Sequence, residues 1–128
     1  MESIAHDWAI IKLKHSLPIQ PIKVEPLPDV TPNKLNGLHL ETAGYAKDRP
    51  YLLSLDDGCN ITSAANNNQI LITDCDSTNG DSGAPLLLRE GKNYRVVGVF
   101  SASTLAGSVT PGSFAVNASV FAPQLTKK

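Results

Sequence analysis

No stretch of this chain sustains a helical repeat, and that limits what it can fold into. The apolar residues come in short runs, and each run stops at a cluster of Gly, Pro, Asn or Asp. Nine glycines and nine prolines supply much of this punctuation. Short apolar runs bounded by turn residues read as strands, so the expectation is an all-β protein. At 128 residues the chain is long enough for one domain with its own core. Hydrophobic residues make up 41% of it and charged residues 18%, the balance of a globular chain rather than a disordered one.

Taken in order, Asp7-Trp8-Ala9-Ile10-Ile11-Lys12-Leu13 reads as a mostly buried strand. From His15 to Asn36, prolines at 18, 21, 26, 28 and 32 break any ladder, since proline supplies no N–H. That stretch reads as an extended linker on the surface of a body. Strands resume at Leu38–Gly44 and Tyr51–Leu55, with Asp56-Asp57-Gly58 as a tight turn before Cys59–Ala64. Further strands are expected at 69–73, 84–88, 94–101 and 113–121. About six main strands follow residue 37, the number for a small closed antiparallel barrel. The tail from Pro123 to Lys128 reads as frayed.

The bulk properties exclude some partners. Net charge is −1, and Lys127-Lys128 is the longest basic run, which argues against nucleic acid. No apolar segment approaches a membrane span. The chain opens Met1-Glu2-Ser3-Ile4, without the basic start and apolar core of a signal peptide. Neither a cofactor nor a metal is expected.

The stretch richest in chemistry is Gly80-Asp81-Ser82-Gly83-Ala84-Pro85. Glycines on either side of Ser82 allow backbone turns closed to residues with a Cβ. The N–H groups of Gly80 and Ser82 can then converge as an oxyanion hole, with the run after Pro85 as a rigid strand behind them. A hydrolytic triad also needs a base and an orienting carboxylate. Asp7, at the start of an apolar run, suits the carboxylate.

Two segments together resemble trypsin-like serine peptidases. Asp7 to Leu13 is similar to that family's Asp-(Ile/Trp)-Ala-Leu-(Ile/Leu)-(Arg/Lys)-Leu segment, and Asn79 to Leu86 to its Gly-Asp-Ser-Gly-Gly-Pro-Leu. Gly44-Tyr45 and Val97 to Ser101 fall where the family has a Gly-Trp/Tyr-Gly turn and a Gly-Ile-Val-Ser strand. Asp74-Cys75-Asp76-Ser77 and Ala84 look closer to the secreted bacterial, glutamyl-endopeptidase-like branch. The resemblance implies a chymotrypsin-like, six-stranded antiparallel second barrel over 37–122. Residues 1–13 would be the last strand of an otherwise missing first barrel, 14–36 the inter-barrel linker and 123–128 a tail.

By the same resemblance Ser82 is the nucleophile, Asp7 the triad carboxylate, Gly80 and Ser82 the oxyanion donors, and Ser101 the support for Asp7. Asp76 with Ser101, Ala102 and Ser103 would form the substrate pocket. The base is missing. His6, His15 and His39 match none of the family's histidine sites, and each reads as an ordinary structural or surface histidine. The expected function is therefore a serine endopeptidase acting on polypeptides, present as a truncated C-terminal part and inactive alone. The alternative is a pseudopeptidase serving as a binding or scaffolding barrel. Cys59 and Cys75 fall on the two strands before the serine loop. A disulfide between them would close a loop of about 15 residues, worth about 3 kcal/mol, and would place the parent protein outside the cytoplasm, secreted or periplasmic.

Overall fold

The computed structural model describes residues 2–28, 30–31, 35, 37–45, 47–75, 82–103 and 112–125. Their elements run in chain order: α1 (Glu2–Ala5), β1 (Lys23–Val24), β2 (Leu40–Gly44), β3 (Ser54–Cys59), β4 (Ile61–Ala65), β5 (Ile70–Thr73), β6 (Pro85–Glu90), β7 (Asn93–Ser103), β8 (Ser113–Asn117) and α2 (Ala118–Leu125). No described helix is long and apolar enough to cross a membrane.

The strands form one sheet in the order β3-β2-β6-β7-β8-β5-β4, and β1 joins β7 in parallel. Neighbours along that path are antiparallel. The sheet curls through 211° and stays open, with its edges 7 Å apart. This corrects the expectation of a closed six-stranded barrel. A hydrogen-bonded neighbour sits at about 4.8 Å, so the two edges do not pair; an inserted strand needs about twice that, so none fits between them. The edges are held near each other by chain continuity. β3 ends at Cys59, β4 starts at Ile61, and Asn60 alone carries the chain from one edge to the other.

Asp74 fastens that corner. Its carboxylate accepts bonds from the Asn60 backbone N–H at 2.5 Å and from Asn60 Nδ2 at 3.1 Å. The Cys59–Cys75 disulfide bridges the same place.

Apolar alternation on β7 and β8 feeds two clusters. Phe100 and Ala115 face the inside of the curl with Leu40, Leu71, Leu86 and Val97. Their chain neighbours Val99 and Val116 face outward, where Ala118 and Phe121 of α2 and Trp8 cover them. The central strands are thus buried on both faces, which explains their near-continuous apolar sequence. Gly98 is required here, because a Cβ on it would stand 2.9 Å from the Val116 carbonyl oxygen.

The structure departs from the sequence reading at four further places. Residues 7–13 form no strand; Trp8 is half-buried, while Ile11 is 83% exposed. The proline-rich stretch is largely exposed, yet it contributes β1 and sends Leu27 and Leu35 into the core. The last strand ends at Asn117, and the expected strand end and the described start of the tail, 123–125, become α2, with the Asn117 side-chain oxygen accepting from the Ser119 N–H as a cap. Asp56-Asp57-Gly58 lies inside β3 rather than at a hairpin turn.

Candidate functional site

Of the serine loop, the structure describes Ser82 onward. Ser82 Oγ donates to the Ser101 carbonyl oxygen at 2.9 Å, and Ser101 Oγ donates to Asp7 Oδ2 at 2.5 Å. The Gly83 N–H donates to the Phe100 carbonyl, fixing the start of β6 against β7. Ser82 therefore spends its proton on a backbone oxygen, and Asp7 is bonded to Ser101 and to no imidazole among the described residues. A shallow cleft of about 340 Å³ lies beside Ser82, lined also by Gly44, Tyr45 and Pro85. Ser101, Ala102 and Ser103 are half-buried positions of β7. Gly80, Asp76 and Asp81 lie outside the described residues.

A different constellation forms at the other end of the sheet. His39 and Glu41 are two residues apart on one extended segment, so their side chains leave by the same face. Glu41 stands directly opposite Asp57 of β3. That register exists because of a bulge. Leu40 pairs with Cys59 and Glu41 with Asp57, which leaves Gly58 as the extra residue, at φ +88°. The left-handed conformation suits glycine, and the bulge turns Asp57 toward His39.

The three side chains meet closely. His39 Nε2 lies 2.6 Å from Asp57 Oδ1 and 3.3 Å from Glu41 Oε1. A carboxylate only accepts, so either contact is a hydrogen bond in the tautomer that places the ring proton on Nε2. Arg89 lies across β6, its N–H bonded to the His39 carbonyl and its guanidinium 3.6 Å from Glu41 Oε1. Tyr94 pairs with Arg89 on β7. The Glu41 carboxylate facing its hydroxyl, as hydrogen-bond acceptor first, then desolvation, raises the phenol above its ordinary range. Glu41 has a side chain only 10% exposed, so its charge needs these partners. Asp57 and His39 stay open to solvent.

The donor set fits a divalent cation. The three ligand atoms all lie within 4.8 Å of one another. Around zinc, with bonds of about 2.0–2.2 Å, tetrahedral donors stand roughly 3.3–3.5 Å apart. The His39–Glu41 separation already matches. The His39–Asp57 contact has to widen by under an ångström, and Asp57 is exposed enough to move. One imidazole nitrogen and two carboxylates suit borderline ions of the zinc class rather than thiolate-seeking ones. Three protein ligands leave at least one position for water or an incoming group.

Sequence reasoning set His39 aside as an ordinary histidine. The i, i+2 spacing to Glu41 was a readable signal, but Asp57 lies 18 residues on and joins only through the bulged register.

No protein-family model matches the sequence, and no curated protein does. With the single open sheet and the lack of a Ser-His-Asp triad among the described residues, this overturns the assignment to the trypsin-like serine peptidases and to their closed six-stranded second barrel. The pseudopeptidase alternative, which presupposed the same ancestry and closed barrel, falls with it.

Proposed function

We propose that this chain is a disulfide-stapled β-sheet module that binds a divalent cation of the zinc class through His39, Glu41 and Asp57. The observation that carries the reading is the convergence of one imidazole and two carboxylates from β2, β3 and the residue before β2 on one exposed face. The cation replaces the proton on His39 Nε2 and lies between the two carboxylates. It supplies a Lewis-acidic centre with a position open to solvent. Arg89 competes with it for Glu41, so the affinity is moderate and the ion exchangeable. Proton and metal compete for the same nitrogen, so binding weakens as the solution is acidified. The disulfide supports a location outside the cytoplasm.

Isothermal titration with zinc(II) tests the reading on the intact chain. One equivalent should bind, and His39→Ala and Asp57→Ala should each weaken binding by more than the roughly 10-fold that loss of an outer partner costs a metal site. Both positions are exposed, so the fold should be unchanged by circular dichroism. Absence of saturable binding, or an affinity unchanged from the parent chain in either variant, would rule out the site.

A further inference from the structure

Asp56 and Asp57 are chain neighbours, so their side chains leave β3 on opposite faces. Asp57 takes the outer face with His39 and Glu41. Asp56 pairs with the buried Thr42 and is itself half-buried. Strict alternation would then send Cys59 outward with Asp57. The extra residue at Gly58 resets the alternation, and Cys59 turns inward to 5% exposure. There it meets Cys75, which follows β5 and is 4% exposed. The Asp56 carboxylate and the two sulfurs all lie within 4.8 Å of one another.

We infer that, once its disulfide is reduced, the chain holds a second metal site, built from Cys59, Cys75 and Asp56 on the inner face of β3 and selective for thiophilic divalent ions. Reduction by a phosphine or a dithiol breaks the S–S bond with two electrons, oxidises the reductant, and yields two thiols. Binding of the ion releases both thiol protons to solvent and leaves a neutral pair of thiolates and metal. A disulfide-bearing oxidant runs the exchange back: the protein disulfide reforms, the ion leaves, and the oxidant departs as two thiolates.

The geometry supports this in two ways. Thiolate bonds to zinc of about 2.3 Å put the two sulfurs under 4 Å apart in a tetrahedron, a separation that freed side chains on adjacent positions reach without moving the backbone. The site also lies in apolar surroundings, against Leu40 and Ile61, where a bare pair of thiolates is costly and a bound dication offsets that cost. Two thiolates with one carboxylate select softer ions than the His39 site does. The two sites therefore sit back to back on one strand, and the redox state decides whether the inner one exists.

Cobalt(II) reports thiolate ligation directly, through sulfur-to-metal charge-transfer absorption. The experiment uses the full chain carrying Asp57→Ala, which silences the outer site, titrated anaerobically with cobalt(II) before and after phosphine reduction. One equivalent should give the charge-transfer band only in the reduced chain, and zinc(II) should displace it. Adding Asp56→Asn should weaken cobalt binding by more than roughly 10-fold while circular dichroism stays the same. A reduced chain without the band overturns the inference. So does an Asp56→Asn chain with undiminished affinity, since an unfolded dithiol would behave that way.

Discussion

Gly58 is the residue on which the local architecture turns. It sits at φ +88° with open space where a Cβ would point, so its constraint is conformational and not steric. A side chain in the left-handed region costs about 1–2 kcal/mol. Gly58→Ala should lower stability by about that much in urea denaturation, and it should weaken zinc binding as well, because Asp57 depends on the bulge. A stability loss with unchanged affinity would show that the cluster forms without it. The same residue explains a misreading. Asp-Asp-Gly signals a backbone that needs positive φ, and a hairpin turn and a bulge make that demand alike. Only the long-range pairing of β3 with β2 decides between them, and no local pattern carries it. Asn66, Asn67 and Asn68 carry a plainer local signal: asparagine tolerates positive φ, and all three adopt it between β4 and β5.

At the scale of elements, strands with clear turn punctuation were legible and elements defined by their partners were not. β5, β6 and β7 lie close to where the apolar runs placed them. Trp8 to Leu13 looked like a buried strand because its residues are apolar, but nothing among the described residues pairs with it. α2 is apolar and short, so its period was hidden; the readable signal was Asn117, a good N-cap. Asn117 also donates from Nδ2 to the Asn68 carbonyl at 2.8 Å and is 3% exposed. Asn117→Ala should cost about 2 kcal/mol, with the cap lost and the Asn68 carbonyl left unpaired. Thermal unfolding followed by circular dichroism checks it, and an unchanged midpoint would show the cap to be idle.

A second element-scale expectation concerns the tie between β1 and β7. Glu25 lies beside Lys23 at 3.2 Å and Arg95 at 3.6 Å. The hydrogen bond from Lys23, followed by its charge, holds Glu25 below the ordinary carboxylate range. A depressed carboxylate contributes stability that is complete above its unfolded value and is lost as pH falls through its folded one. The group is exposed, so the contribution is small. An NMR titration should place the Glu25 midpoint below that of an unstructured glutamate, and Lys23→Ala should raise it. A midpoint that ignores Lys23 would remove this assignment.

For the molecule as a whole, the open seam is the defining trait, and the disulfide is its clasp. The bridge spans 16 residues from the end of one edge strand to the exit of β5. Loops of that size are stabilised by about 3 kcal/mol when cross-linked. Cys59→Ala with Cys75→Ala should lose about that amount in chemical denaturation, and it should leave the zinc titration of the folded chain unaltered. Loss of zinc binding in a chain still folded would instead tie the outer cluster to the clasp. What sequence could not convey at this scale is closure. Counting strands suggested a barrel, but whether the first and last strands pair depends on curl and tilt summed over every neighbour.

The passage through Asn60 has a kinetic consequence. The two edges are adjacent in the chain, whereas the strands that separate them in the sheet come from far apart: Thr42 must find Leu86, and Ile70 must find Val116. The β3–β4–β5 corner can therefore assemble from local sequence, while the middle of the sheet waits on distant encounters. Such high contact order places folding in the slow range for domains of this size. Until β6 to β8 arrive, the corner is the β4–β5 hairpin joined through Asn60 to β3, with its inner faces still wet.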